Sequence, residues 1–204
     1  MTDLAVNTGT PSRPETPLRR RGRGLLAGLA LLASGAALAA PAACPALLDR
    51  KLPRLQDEQP QDLCRYAGKV LLVVNTASRC GYTPQFEQLE ALQQRYASRG
   101  LVVIGVPSHD FRQELASREA IASFCQSTYG VRFPMLGPLS VRGSQADPFY
   151  QELARRGGGA PSWNFHKYLI ARDGSTVQGV STRVEPMDPG FVTQLEKLLD
   201  AKRD

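Results

Sequence analysis

The chain has 204 residues, 42% of them hydrophobic and 22% charged, a globular composition with room for one domain of common size and a further segment. The formal net charge is +6, but residues 1–39 contain five arginines against Asp3 and Glu15, so the remainder carries only +3. No basic stripe interleaved with aromatics is present, which argues against nucleic-acid binding. Two histidines, and four cysteines in no C-x-x-C pair, argue against a zinc site.

In chain order, residues 1–17 are polar, hold three prolines and read as disordered. Residues 18–39 have the layout of a secretory signal peptide. Arg19, Arg20, Arg21 and Arg23 form a positive flank, an apolar run follows from Gly24, and Ala37-Leu38-Ala39 offers a small-residue cleavage site. Left uncleaved, the same segment is a membrane anchor, although it is shorter than the roughly 20 residues of a full span. The expected location is therefore exported, either periplasmic or membrane-anchored. Residues 40–204 form the folded domain. Export permits disulfides, and one is expected between Cys44 and Cys64, which flank the first folded segment.

That segment, Leu47 to Gly68, reads as a short hairpin leading into the core. Val70-Leu-Leu-Val-Val74 is a continuous apolar run and predicts a buried central strand. Thr83-Pro84 opens a helix, with Phe86, Leu89, Leu92 and Tyr96 on one face and Gly100 at its end. Leu101–Val106 is a second buried strand, so strand, helix and strand imply a parallel crossover. A second helix is expected from Ser117, as cap, to Tyr129, with Ile121, Phe124 and Cys125 inward. A third covers Asp147–Arg155. His166–Ile170 and Thr176–Val180 flank a turn at Arg172–Ser175 and predict a hairpin. The last helix is Pro189–Lys202. Parallel strands followed by an antiparallel hairpin define an α/β fold of thioredoxin-like order, a central mixed sheet flanked by helices.

Cys80 falls just past a buried strand and just before a helix. This places its sulfur at the carboxyl end of the sheet, where open α/β folds hold reactive groups. The helix N-terminus favours thiolate, the nucleophilic form. The residue three beyond is Thr83 and the residue four beyond is Pro84, which excludes a C-x-x-C dithiol and a C-x-x-x-C copper site. What remains is a single attacking thiol whose oxidation by a peroxide gives a sulfenic acid.

The segment Asn75-Thr-Ala-Ser-Arg-Cys-Gly-Tyr-Thr-Pro-Gln85 resembles the first signature of the glutathione peroxidases, with Cys in place of the selenocysteine of some members. Trp163-Asn164-Phe165 with Lys167-Tyr-Leu-Ile170 resembles the signature near the end, and Arg99–Pro107 resembles the strand between. The likeness spans about residues 60–200. It implies a catalytic set of Cys80, Gln113, Trp163 and Asn164, in which neutral amide and indole donors steady the sulfur and orient the peroxide. The middle motif departs from the family pattern. Pro107-Ser-His-Asp-Phe-Arg-Gln-Glu114 is one residue shorter, and Ser108, His109, Asp110 and Arg112 are changes; Gln113-Glu114 aligns with the family's final Gln-Glu.

Cys125 lies in a segment resembling the one that carries the resolving cysteine in two-cysteine members. The resemblance implies that it condenses with the oxidised Cys80, which requires its helix to open. The expected activity is reduction of hydrogen peroxide and organic or lipid hydroperoxides, with glutathione or a thioredoxin-type protein as reductant and no cofactor or metal, in defence against oxidative stress. The alternative is a peroxide sensor that relays its oxidation to a partner protein. The short Gly157-Gly-Gly159 loop, in place of the long insertion of tetrameric members, implies a monomer.

Overall fold

The computed structural model describes residues 43–201. The expectations for residues 1–17 and 18–39 lie outside them. Among the described residues, no helix is long and apolar enough to cross a membrane.

The first elements are two short antiparallel strands, β1 (Lys51–Pro53) and β2 (Pro60–Asp62). The disulfide expected between Cys44 and Cys64 is present, and it staples the start of the domain to a short 3-10 turn at Leu63–Tyr66. Among the described residues, the only grouping of metal-type ligands is Cys44, Asp49 and Cys64. Its two sulfurs are already bonded to each other.

The main sheet has four strands in the order β4-β3-β5-β6. β3 (Val70–Thr76) is buried at all seven positions, as a strand covered on both faces requires. It pairs in parallel with β4 (Leu101–Pro107) and antiparallel with β5 (Lys167–Ile170), which in turn pairs antiparallel with β6 (Val177–Val180). The connection from β3 to β4 is α1 (Gln85–Tyr96). It ends through a short 3-10 turn at Gly100, whose φ of 97° suits the residue without a Cβ.

Side chains alternate along β3, and each set has its own apolar layer. Val70, Leu72 and Val74 face a cluster containing Phe86, Leu89, Leu92 and Tyr96 of α1, Ile121 and Cys125 of α2 (Arg118–Tyr129), and Phe191, Leu195 and Leu199 of α4 (Pro189–Asp200). Leu71 and Val73 face Phe149, Tyr150 and Leu153 of α3 (Pro148–Gly157). Helices thus cover both faces, and the thioredoxin-like order expected from the sequence is observed. Helix starts follow local chemistry: Ser117, Asp147 and Asp188 each accept a backbone N–H in the first turn, and Pro148 and Pro189 follow the two aspartates. Phe124, expected inward on α2, packs against the first of these clusters and edge-on against Tyr129, and is half-buried.

The disulfide closes a loop with a sequence separation of 20. By the chain-entropy relation, a loop of that size stabilises the fold by about 3 kcal/mol. A Cys44→Ser, Cys64→Ser double variant should lose about that much in urea unfolding relative to the oxidised parent. Reduction of the intact parent should add the mass of two hydrogens.

Candidate active site

Cys80 occupies the loop between β3 and α1 and is 7% exposed. Successive i→i+3 bonds build this loop. The Thr83 N–H donates to the Cys80 carbonyl (3.0 Å), Gln85 N–H to Tyr82 (2.9 Å) and Phe86 N–H to Thr83 (3.0 Å), so α1 winds up directly from the cysteine. Thr83 locks it further: its hydroxyl accepts the Cys80 N–H and donates to the Ala77 carbonyl, both at 3.0 Å. The Tyr82 N–H donates to the Cys80 sulfur at 3.4 Å.

Two other segments meet this loop. The first follows β4. Ser108 N–H donates to the Thr76 carbonyl, and Arg112 N–H to the His109 carbonyl (2.9 Å), which closes a turn with Arg112 at φ 55°. Arg112 thus takes the left-handed conformation, which non-glycine residues seldom adopt. The turn delivers Gln113, whose carbonyl accepts the Arg79 N–H at 2.9 Å. Glu114 Oε1 accepts the Ser78 N–H at 3.0 Å. Both bonds fall within two residues of Cys80.

The second segment precedes β5. Asn164, fully buried, donates from Nδ2 to Gln113 Oε1 at 2.9 Å. With its oxygen so occupied, Gln113 retains its Nε2 hydrogens as a donor end. The Asn164 carbonyl accepts from Thr182 at 2.9 Å, and Asn164 Oδ1 is buried without a partner. Phe165 follows at φ 62°. This left-handed turn is held by its N–H to the Asn75 carbonyl (2.6 Å), and by edge-on packing of its buried ring on Phe86. Trp163 is 40% exposed and rests on Phe111, ring centroids 5.3 Å apart. Gln113 and Asn164 are therefore joined directly and tied to the Cys80 loop through backbone bonds, whereas Trp163 is set at the surface.

Three further residues contribute to the site. Asn75 Nδ2 donates to the Trp163 carbonyl (3.1 Å); its presence in the first signature marks the position without revealing this bond. Thr83 is a locking residue that a Ser/Thr near a helix start can announce. Glu114, beside Gln113, is partly buried, which pushes its carboxyl above the usual range.

Cys125 lies in the last turn of α2, 3% exposed, in the same apolar cluster that Cys80 borders. Both thiols are free. Burial, with a contribution from the Glu114 charge, pushes the Cys125 thiol up to about 12. As folded, it is a poor nucleophile. The Val131 N–H donates to its carbonyl at 3.1 Å and Gly130 closes the helix in left-handed conformation, so release of Cys125 requires this C-terminal turn to open.

Beyond the site lie two bases, half-buried His166 just before β5 and buried Lys167 at its start. Burial, and next the neighbouring Lys167 charge, depress His166 to about 4. Burial lowers Lys167 to about 8, although its ammonium donates to the Phe165 and Val184 carbonyls at 2.9 Å each. His109, the other histidine, sits in the loop before Gln113.

A single free thiol at the head of a helix, on a thioredoxin-like sheet and without a local second cysteine, defines a thiol-based redox protein. The family model for glutathione peroxidase matches residues 51–154, and the chain belongs to the glutathione peroxidase family. It is 44% identical over 139 residues to the glutathione peroxidase-like peroxiredoxin gpx1 of Schizosaccharomyces pombe, covering 66% of this chain and 88% of that one. It is 39% identical over 171 residues to the thioredoxin/glutathione peroxidase BtuE of Escherichia coli, covering 72% and 93%. The crystal structure of Trgpx in its apo form superposes with a TM-score of 0.62 at 30% identity, over 78% of this chain and 98% of that one. The protein is a thiol peroxidase, an oxidoreductase that acts on a hydroperoxide with a thiol reductant.

Two measurements follow from the buried groups. Cys125 should resist iodoacetamide at pH 8 in the folded protein and react once urea opens the chain; peptide mapping distinguishes it from Cys80. Because His166 is depressed when folded, the unfolded chain takes up a proton below pH 6.5 that the folded chain refuses until about pH 4. Stability should therefore fall between pH 6.5 and 4, and urea unfolding should show a smaller fall over that window in His166→Gln.

Proposed function

We propose that Cys80 is the peroxide-reducing nucleophile, with Gln113, Trp163 and Asn164 as its partners and Cys125 as the resolving thiol. The observation that carries this reading is the direct bond from Asn164 to Gln113, at a loop bonded to Ser78 and Arg79, the two residues just before Cys80. The Cys80 thiolate attacks one peroxide oxygen. The S–O bond forms, the O–O bond breaks, and the leaving oxygen takes a proton and departs as water or alcohol. Neutral donors suit this step, because they stabilise charge on sulfur and on the leaving oxygen without pairing the nucleophile to a fixed cation. The Tyr82 N–H supplies one such donor and the Gln113 amide another.

The resulting sulfenic acid is condensed by Cys125 to a disulfide with loss of water, after the end of α2 opens. A thioredoxin-type protein or glutathione then restores both thiols. A buried resolving thiol supports a slow, opening-limited second step. The name of the relative BtuE includes both thioredoxin and glutathione, which supports keeping both reductants. Hydrogen peroxide and organic or lipid hydroperoxides are the substrates. The relay alternative is not favoured, since the relatives carry peroxidase and peroxiredoxin names.

The protein acts after export, in the periplasm or tethered at the membrane by residues 18–39, and as a monomer. The Cys44–Cys64 bond supports an oxidising compartment, and the short 157–159 loop supports the monomer.

Cys80→Ser should abolish turnover of hydrogen peroxide; retained activity in a coupled assay sinks the assignment. Cys125→Ser should lose thioredoxin-supported turnover while still completing one peroxide equivalent per protein. Full thioredoxin-supported turnover in that variant would remove Cys125 from the cycle. Gel filtration with light scattering checks the monomer, and N-terminal sequencing of the exported protein checks cleavage after Ala39.

A further inference from the structure

Helix α2 is fastened firmly at its start and lightly at its end. Ser117 caps the first turn, and Arg118 forms an ion pair with Glu58 at 2.7 Å. Of the helix's own residues, only Ile121 and Cys125 are buried. The chain is secured again further on, at β4. There the Gly105 N–H donates to the Pro134 carbonyl and the Leu136 N–H donates to the Gly105 carbonyl, at 2.9 Å each. Between these two anchorages lies the stretch 125–133, which has to move if Cys125 is to leave its place.

One side chain from elsewhere in the fold grips this stretch. Glu90 of α1 is 7% exposed, and its Oε2 accepts the N–H of Arg132 at 2.9 Å and of Phe133 at 3.4 Å. Its Oε1 accepts from Gln94 of its own helix at 3.1 Å. Among the described residues, no other side chain hydrogen-bonds to the 125–133 stretch. The bonds at the end of α2 are otherwise local, from the Gly130 N–H to Gln126 and from the Val131 N–H to Cys125. Glu90 enters no ion pair among the described residues. A buried carboxylate without a cation is costly unless N–H groups satisfy it, and hydrogen bonds to a charged acceptor are the stronger kind. The hold is therefore mutual: the segment satisfies the carboxylate, and the carboxylate keeps the segment closed. Tyr129 and Phe133 also rest on Phe86 of α1, so apolar contact remains when the carboxylate is removed.

We propose that Glu90 is the latch of the resolving segment, a positioning residue that sets how readily Cys125 leaves the core to meet oxidised Cys80. The proposal rests on the resolving role of Cys125, but the latch itself is measurable in reduced protein without peroxide. In the step it governs, the Cys125 sulfur attacks the sulfenic sulfur of Cys80. The S–S bond forms, the S–O bond breaks, and the hydroxyl leaves with the thiol proton as water. No further oxidant or reductant enters. Glu90 acts through the backbone of residues 132 and 133 and takes no part in the attack on peroxide. Opening breaks its two bonds to that backbone, so weakening them raises the open population, and with it an opening-limited rate.

Glu90→Gln keeps an acceptor oxygen and removes the charge; Glu90→Leu removes both and leaves two N–H groups unpaired. The reduced protein is labelled with iodoacetamide in native buffer, and Cys125 is followed by peptide mapping. Labelling should be slowest in the wild type, faster in Glu90→Gln, and faster by about tenfold in Glu90→Leu, as loss of a hydrogen bond to a charged group allows. Leu199→Ala, which opens a cavity at buried Leu199 of α4, is the control for general loosening, and urea unfolding puts the variants on one scale. Labelling of Cys125 and amide hydrogen exchange over 125–133 should stay at the wild-type rate in that control. In single turnover with one equivalent of hydroperoxide, the Cys80–Cys125 disulfide should form faster in Glu90→Leu by the same factor, with the peroxide consumed at the wild-type rate. Unchanged Cys125 labelling in Glu90→Leu, or labelling that merely follows lost global stability in both Glu90→Leu and Leu199→Ala, overturns the latch. Labelling that quickens as expected, with no Cys80–Cys125 disulfide in any of the proteins, upholds the latch and strikes the resolving role of Cys125 instead.

Discussion

The geometry around Cys80 depends on Asn75, the next-to-last residue of the buried strand β3. It is fully buried and joined three times to the chain before β5. Its N–H donates to the His166 carbonyl, its carbonyl accepts the Phe165 N–H, and its side chain donates to the Trp163 carbonyl. Five residues later the same strand's exit loop carries Cys80. One rigid strand end therefore fixes both the thiol and the Trp163-Asn164 pair. Phe165 takes a left-handed conformation there, a strain of about 1–3 kcal/mol. Burial of its ring against Phe86 and the Lys167 ammonium on its carbonyl oppose that cost. Arg112 plays the matching part on the other side, so each polar partner of the site adjoins a left-handed residue.

Two charged groups near this centre are tied down by hydrogen bonds. Lys167 is committed to two carbonyls, and burial lowers it to about 8. Glu114 is committed to the Ser78 and Leu115 N–H groups. The groups proposed to serve the reaction are amides. This division follows from burial: an unpaired ion at the sheet's edge would pay a desolvation cost, whereas an amide donor pays little and still stabilises developing charge. The same burial pushes the Cys125 thiol up to about 12, so that as folded it is a poor nucleophile.

The fold was readable where periodicity was strong. The run at Val70–Val74 marked a strand buried on both faces, the spacing of Phe86, Leu89, Leu92 and Tyr96 marked a helix face, and Ser117 marked a helix start. Phe124 does pack on the core, but at the edge of the inward arc, so how deeply it is buried is decided only by tertiary packing. At the site, the paired signatures located Cys80 and the Trp163-Asn164 pair. The local sequence could not supply the long-range bonds. The Asn75–Trp163 contact joins residues separated by 88 positions, and the Asn164–Gln113 contact residues separated by 51. The loop before Gln113 gave no hint of the left-handed Arg112, since arginine has no preference for that conformation.

The central claim is that oxidation begins on the Cys80 sulfur. It is tested most directly in Cys125→Ser, treated with one equivalent of hydroperoxide in the presence of dimedone and mapped by tandem mass spectrometry. The account predicts a sulfenic acid adduct on Cys80, formed as the peroxide is consumed. Consumption of the peroxide with Cys80 unmodified would contradict it.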